Sequence, residues 1–117
     1  MFLTGSVVYG SWFNEQSDID VVTLVDDDTL KVLLRFFQYT DEERGDYDTT
    51  VSANIRVGRL NLICVADQGL YDVWKRGTEE LKLKSLSGEK FDRAYAVEHL
   101  TKMREDYFRK PGASWKG

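Results

Sequence analysis

Two carboxylates stand one residue apart near the start of this chain, in the stretch SDIDVV at residues 17–22. Alternate residues of a strand point to the same face, so we expect Asp18 beside Asp20, with Ile19 and Val21 on the other face. Adjacent carboxylates repel each other, and burying them without a partner is costly. A divalent cation such as Mg2+ would remove that cost, because hard cations prefer oxygen ligands. The alternative is a strand end at which Asp18 caps a turn and Asp20 is solvated.

A Gly-Ser turn precedes this pair. Gly5 and Ser6 follow the short apolar segment 1–4. Glycine allows the backbone to approach a phosphate closely, N–H groups at a helix start favour an anion, and a serine hydroxyl can serve a terminal phosphate. The turn and the two aspartates together therefore indicate a metal-assisted phosphate site.

The whole pattern resembles the signature of the DNA polymerase beta-like nucleotidyltransferase superfamily. The matching text is LTGS at residues 3–6, Gly10-Ser11, and SDIDVV at residues 17–22. The likeness is greatest to minimal nucleotidyltransferases, which are single small domains that include antitoxin-type members and compact versions encoded by bacteriophages. It implies a small mixed sheet flanked by helices and binding of a nucleoside triphosphate.

The same resemblance implies roles for individual residues. Gly5, Ser6 and Ser17 would bind the triphosphate. Asp18 and Asp20 would be the catalytic carboxylates and would hold the metals, Mg2+ or Mn2+, of a two-metal transfer of a nucleoside monophosphate to a hydroxyl acceptor.

A third carboxylate, which the resemblance also implies, is missing from the expected place. The later apolar strand that fits is LNLICV at residues 60–65, and the residue at the position expected for the third carboxylate is Asn61. An amide can offer a metal a neutral oxygen but cannot act as a base. Arg56, expected opposite Asn61, would place a positive charge where the resemblance implies a negative one. Three other carboxylates are alternatives for this position: Asp46, Asp48 and Asp67.

The sequence is compatible with two functions. An active minimal nucleotidyltransferase would modify a hydroxyl on protein, RNA or a small molecule. A form impaired by Asn61 would bind the nucleotide and act on a partner protein, as an antitoxin-like subunit or an inhibitor. A structural module in which the motif is coincidental is a third alternative.

Composition narrows the class of protein. The chain has 117 residues, of which 42% are hydrophobic, and a net charge of −4. This size predicts one domain over residues 1–110 with a flexible tail at 111–117, and the acidic balance excludes nucleic-acid binding by a general basic face. The single cysteine, Cys64, is expected to be buried, and no apolar run is long enough to span a membrane. We expect a cytoplasmic protein, in a bacterial or infected host cell.

Hydrophobic periodicity predicts the elements that must position the two aspartates. The fold class is α/β (α+β), with a mixed sheet of about four strands flanked by helices. The predicted elements are a short helix at 7–13, a strand at 18–25, a helix from Asp28 or Thr29 to Phe37, a loop at 40–48, a hairpin of 49–57 and 60–65 around Gly58-Arg59, a helix at 68–84 that Gly77 could split, and a helix at 90–108. The last helix carries an apolar stripe: Phe91, Ala94, Val97, Leu100, Met103 and Tyr107.

Overall fold

The computed structural model of the chain describes residues 1–35 and 52–109. Within these residues it contains four strands and four helices. In chain order they are β1 (Phe2–Thr4), α1 (Ser6–Tyr9), β2 (Ile19–Leu24), α2 (Asp27–Leu34), β3 (Ala53–Val57), β4 (Leu60–Val65), α3 (Gln68–Leu86) and α4 (Arg93–Arg109). The predicted loop at 40–48, Phe37 and the tail at 111–117 lie outside the described residues.

The strands form a single mixed sheet in the order β1-β2-β4-β3, which confirms the predicted fold class. β1 is antiparallel to β2, β2 is parallel to β4, and β3 is antiparallel to β4. In the β3–β4 hairpin, Val57 pairs with Leu60 and Arg56 pairs with Asn61, as the Gly58-Arg59 turn predicted. The parallel pair places Asn61 beside Asp20, although the two residues are far apart in sequence.

Apolar side chains on one face of the sheet form the core with α3 and α4. Val22 and Val65 are fully buried on the central strands, and Leu70 and Leu81 of α3 are 1% exposed. Cys64 is 2% exposed, so its predicted burial is confirmed. Between β1 and α3, a hydrogen bond of 2.7 Å joins the buried hydroxyls of Thr4 and Thr78. Both polar groups are therefore satisfied inside the core.

Helix α3 runs without a break through Gly77, so the predicted split at this glycine is wrong. Gly77 is buried where α3 crosses α4. A Cβ atom there would lie 2.7 Å from Leu100 Cδ2 and 2.8 Å from Met103 Sδ, closer than van der Waals contact. The glycine therefore allows two helices to approach each other and does not end one.

The apolar stripe predicted for α4 is partly wrong. Ala94 and Val97 are exposed, whereas the buried residues of the helix are Ala96, Leu100 and Phe108. Phe91 precedes the first helical residue, Arg93, and packs against the core from outside the helix. Leu100 of the predicted stripe is buried, and Met103 and Tyr107 are half-buried, so the predicted stripe is right in the second half of the helix.

Among residues 1–35 and 52–109, no helix combines the length and apolar character needed to cross a membrane.

Candidate functional site

The two aspartates lie where the parallel strands β2 and β4 begin. Asp20 is the second residue of β2, and its neighbours in the sheet are Thr4 on β1 and Asn61 on β4. Asp18 precedes the strand by one residue, and its side chain is 47% exposed. The pair thus stands at one end of the sheet, with Asp20 partly covered and Asp18 open to solvent.

The Gly-Ser turn lies directly against the carboxylate of Asp20. Gly5 has φ 77° and ψ −166°, a conformation that residues with a side chain rarely adopt. A Cβ atom at this position would overlap Asp20 Oδ2. The structure therefore brings together the turn and the acidic pair that the sequence analysis singled out, and it requires glycine at the contact.

Helix α1, which follows this turn, is shorter than the predicted helix at 7–13. It ends at Tyr9, and the Gly10 N–H donates to the carbonyl of Ser6 at 2.9 Å. A Cβ atom on Gly10 would lie 2.7 Å from Ser6 Cα, so the backbone folds back tightly on Ser6. Gly10 itself has an extended backbone, with φ −95° and ψ 117°, so the helix ends after one turn, before the apolar residues Trp12 and Phe13.

Ionisation of the Asp20 carboxyl is less favourable in this arrangement than in water. Burial raises the pKa of its carboxyl above the ordinary aspartate value, and the charge of Asp18 raises it further. The hydrogen bond from Asn61 acts in the opposite direction, because it stabilises the ionised form and lowers the pKa. The repulsion expected from two aspartates on one face is therefore present at this site.

A chain of two buried amides ends on Asp20. Asn61 Nδ2 donates to Asp20 Oδ1 at 3.0 Å, and Asn54 Nδ2 donates to Asn61 Oδ1 at 3.0 Å. Asn61 and Asn54 are only 5% and 8% exposed. Asn54 Oδ1, at the far end of the chain, has no hydrogen-bond partner among the described residues. Asn61 thus stands at the position predicted for a third carboxylate, and it turns an N–H group toward the acidic pair.

Arg56 contacts the other aspartate. Its Nη1 atom lies 2.8 Å from Asp18 Oδ2, with about half of each side chain exposed. The strand register confirms the predicted position of Arg56 opposite Asn61, whereas its contact with Asp18 was not predicted. One feature of the sequence could have indicated that Arg56 lies near the acidic pair. The alternation of β3 puts Arg56 on the same face of the sheet as Asn54, which donates to Asn61.

Ser17 contributes to the loop before β2. Its hydroxyl accepts from the Asn14 N–H at 3.0 Å, and its carbonyl accepts from Arg59 Nε at 3.0 Å. Arg59 Nη2 also donates to the Asn14 carbonyl at 3.0 Å. Arg59 therefore anchors the loop that leads into the acidic pair, a role that no pattern in the sequence indicated. Binding of a nucleotide by Ser17 stays a prediction.

Asp67, one of the alternative third carboxylates, does not reach this end of the sheet. Asp67 follows the opposite end of β4, six residues beyond Asn61, which is about 20 Å along an extended chain. It caps α3 by accepting from the Leu70 N–H at 3.2 Å, and it accepts a hydrogen bond of 2.7 Å from the Tyr107 hydroxyl. Asp46 and Asp48 lie outside the described residues.

The donor atoms of the site suit a divalent cation. No group of three His, Cys, Asp or Glu side chains in residues 1–35 and 52–109 could hold a metal ion. Two carboxylates are nevertheless available, and one oxygen of each, Asp18 Oδ1 and Asp20 Oδ2, makes no hydrogen bond to a described residue. Hard oxygen donors of this kind fit Mg2+ or Mn2+, which commonly complete their coordination with water and substrate phosphates.

Comparison with known proteins supplies no relative. No family model, no curated protein and no solved structure matches the chain. The functional assignment therefore depends on the geometry of this site and on the resemblance found in the sequence.

Proposed function

We propose that the protein is a minimal member of the DNA polymerase beta-like nucleotidyltransferases. It binds a nucleoside triphosphate together with Mg2+ or Mn2+ and transfers a nucleoside monophosphate to a hydroxyl acceptor on protein, RNA or a small molecule. The observation that carries this proposal is the contact between Gly5 and Asp20 Oδ2. It joins the turn suited to phosphate and the carboxylates suited to metal in one site.

The residues of this chain have distinct tasks in that function. Gly5 and Ser6 face the triphosphate, and Asp18 Oδ1 with Asp20 Oδ2 hold the cation. Bound metal would neutralise the charge that develops on the phosphate oxygens. In the transfer, the acceptor hydroxyl gives its proton to water and its oxygen forms a bond to the α-phosphorus, while the bond between the α-phosphorus and the pyrophosphate oxygen breaks. Arg56 can exchange its contact with Asp18 for a phosphate oxygen, since guanidinium binds both groups.

A second function is favoured by the amide at the third position. Asn61 presents an N–H group to Asp20, and no carboxylate from the described residues stands there to activate the acceptor hydroxyl. A protein that binds the triphosphate but transfers poorly would act in the cytoplasm through a partner protein, as an antitoxin-like subunit or an inhibitor. The nucleotide would then be a ligand that stabilises the docking form.

Transfer of a radiolabel from the α-phosphate of each of the four nucleoside triphosphates tests the enzymatic function. Wild type is incubated with Mg2+ or Mn2+ and with protein, RNA and small-molecule acceptors. We expect label in an acceptor, and its loss in Asp18→Ala and Asp20→Ala. Nucleotide binding without label in any acceptor would favour the second function.

A thermal-shift panel with the same triphosphates and cations tests binding itself. A ligand that binds only the native state raises the apparent stability by mass action. We expect a metal-dependent rise in melting temperature for wild type that Asp18→Asn abolishes. Asp28→Asn, which makes the same charge change at an exposed position on α2, should keep the rise. If no triphosphate shifts the wild type with either metal, the proposed function is wrong.

A further inference from the structure

The direction of the amide chain at the site is fixed by the carboxylate at its end. An ionised carboxylate only accepts hydrogen bonds, so Asn61 must turn its N–H toward Asp20. Its amide oxygen then faces Asn54, which must donate. The unpaired atom left over is Asn54 Oδ1. The charge on Asp20 therefore sets the direction of the amide chain, and the hydrogen bond from Asn54 holds the Asn61 oxygen in that orientation.

This orientation keeps the Asn61 oxygen away from the cation position. To become a third ligand beside Asp18 and Asp20, the Asn61 amide would have to rotate by half a turn. That rotation would break its hydrogen bond from Asn54. It would also present an N–H to Asn54 Nδ2, a second donor, unless the buried Asn54 amide rotated as well.

We infer that Asn54 is a positioning residue that holds Asn61 as a hydrogen-bond donor to Asp20 and so prevents the Asn61 oxygen from serving as a metal ligand. The inference rests on the proposed function and deepens it. The cation is held by Asp18 and Asp20 without a third protein ligand from β4. The two oxygens of Asp20 then have different contacts. Oδ1 accepts from Asn61, and Oδ2 lies against the Gly5 turn and is the oxygen available to the cation.

A double-mutant cycle with Mn2+ as the probe tests this positioning role. The Mn2+ affinity of wild type, Asn54→Leu, Asn61→Ala and the double variant is measured by electron paramagnetic resonance of the free ion. Leucine has the same branched arrangement of heavy atoms as asparagine and changes no charge, and without a hydrogen-bond donor it leaves the Asn61 amide free to rotate. We expect Asn54→Leu to tighten Mn2+ binding about threefold to tenfold, which corresponds to one neutral hydrogen bond.

The same substitution in the Asn61→Ala background should leave the Mn2+ affinity unchanged, because no amide remains to be oriented. Circular dichroism checks that each variant is folded. An equal effect in both backgrounds, no effect, or weaker binding in Asn54→Leu would overturn the positioning role. A purely structural role for Asn54 would lower the melting temperature without this dependence on Asn61.

A measurement on the wild type covers the case in which Asn54→Leu does not fold. The side-chain amide protons of Asn54 are followed by nitrogen-15 NMR before and after Mg2+ is added. We expect them to remain protected from exchange with Mg2+ bound, because they still donate to Asn61. Loss of protection on Mg2+ binding would show that the Asn61 oxygen has turned away, contrary to the inference.

The outcomes separate this inference from the proposed function. If wild type binds Mn2+ and Asp18→Asn does not, the metal site stands whatever the cycle shows. If wild type binds neither cation, with or without a triphosphate, the proposed function and the role of Asn54 are both wrong.

Discussion

Arg56 Nη1 lies 2.8 Å from Asp18 Oδ2, so one of the two candidate metal ligands already has a cationic partner. About half of each side chain is exposed. Exposed ion pairs of this kind contribute little to stability, typically about 0 to 1 kcal/mol. In the proposed function, the contact would therefore matter more for competition with a cation at Asp18 than for holding the hairpin to β2.

Arg56→Gln should strengthen binding of Mn2+ in the absence of nucleotide, because it removes a competing positive charge. The free energy of unfolding should change by no more than about 1 kcal/mol. Titration of Mn2+ followed by electron paramagnetic resonance gives the affinity, and urea denaturation gives the stability. Arg76→Gln makes the same charge change at an exposed position on α3 and should have a smaller effect on Mn2+. Equal effects of the two variants would indicate only a general electrostatic change.

Asp20→Asn should stabilise the metal-free protein at neutral pH while abolishing cation-dependent triphosphate binding. It removes a partly buried charge and the repulsion from Asp18, yet keeps an oxygen that accepts from Asn61. We expect a gain of about 1 kcal/mol, a usual size for removing strain at a functional site. Denaturation in the presence of a chelator measures it. Asp28→Asn, at an exposed position in the first turn of α2, should instead lose up to about 0.5 kcal/mol.

The gain from Asp20→Asn should depend on pH. Burial raises the pKa of the Asp20 carboxyl in the folded state above its unfolded value. Its contribution to stability is therefore fully present below the unfolded pKa and is lost as the pH rises through the folded pKa. The difference between variant and wild type should be largest at neutral pH and shrink in acid. Denaturation curves at a series of pH values check this, and a gain that grew in acid would contradict it.

Gly5→Ala should destabilise the protein and disrupt the site together. The backbone conformation alone costs a residue with a side chain about 1 to 3 kcal/mol. The added methyl group would also displace the Asp20 carboxylate, so Mn2+ and triphosphate binding should be lost. Gly88→Ala is the matched control, because Gly88 has φ 89° but open space around its Cβ position. It should cost about 1 to 2 kcal/mol and leave binding intact.

Gly77→Ala should destabilise the packing of α3 against α4. Alanine favours a helix by about 1 kcal/mol over glycine. Its methyl group, however, would press on Leu100 and Met103 at distances below 3 Å, and such overpacking costs about 1 to 3 kcal/mol. We expect a net loss measurable as a lower melting temperature. Ser85→Ala, at an exposed position on the same helix, should raise the melting temperature slightly. A rise in Gly77→Ala as well would contradict the prediction, because it would mean that α3 and α4 can move apart at little cost.

The sequence by itself determined the features that depend on local periodicity. The alternation of β2 put Asp18 and Asp20 on one side, and the two-residue turn at Gly58-Arg59 set the hairpin register that places Arg56 opposite Asn61. Strand period and turn length are properties of a few neighbouring residues, so they can be inferred without knowledge of the rest of the chain.

Only the tertiary structure decided how these parts meet. The hydrogen bond from Asn61 to Asp20 joins residues 41 positions apart, and it exists because β2 and β4 are parallel neighbours. The place of Gly77 in a helix crossing likewise depends on its contact with Leu100 and Met103 of α4, which nothing in the sequence of α3 indicates. Contacts between distant segments are set by packing of the whole core, which the sequence of any one segment does not encode.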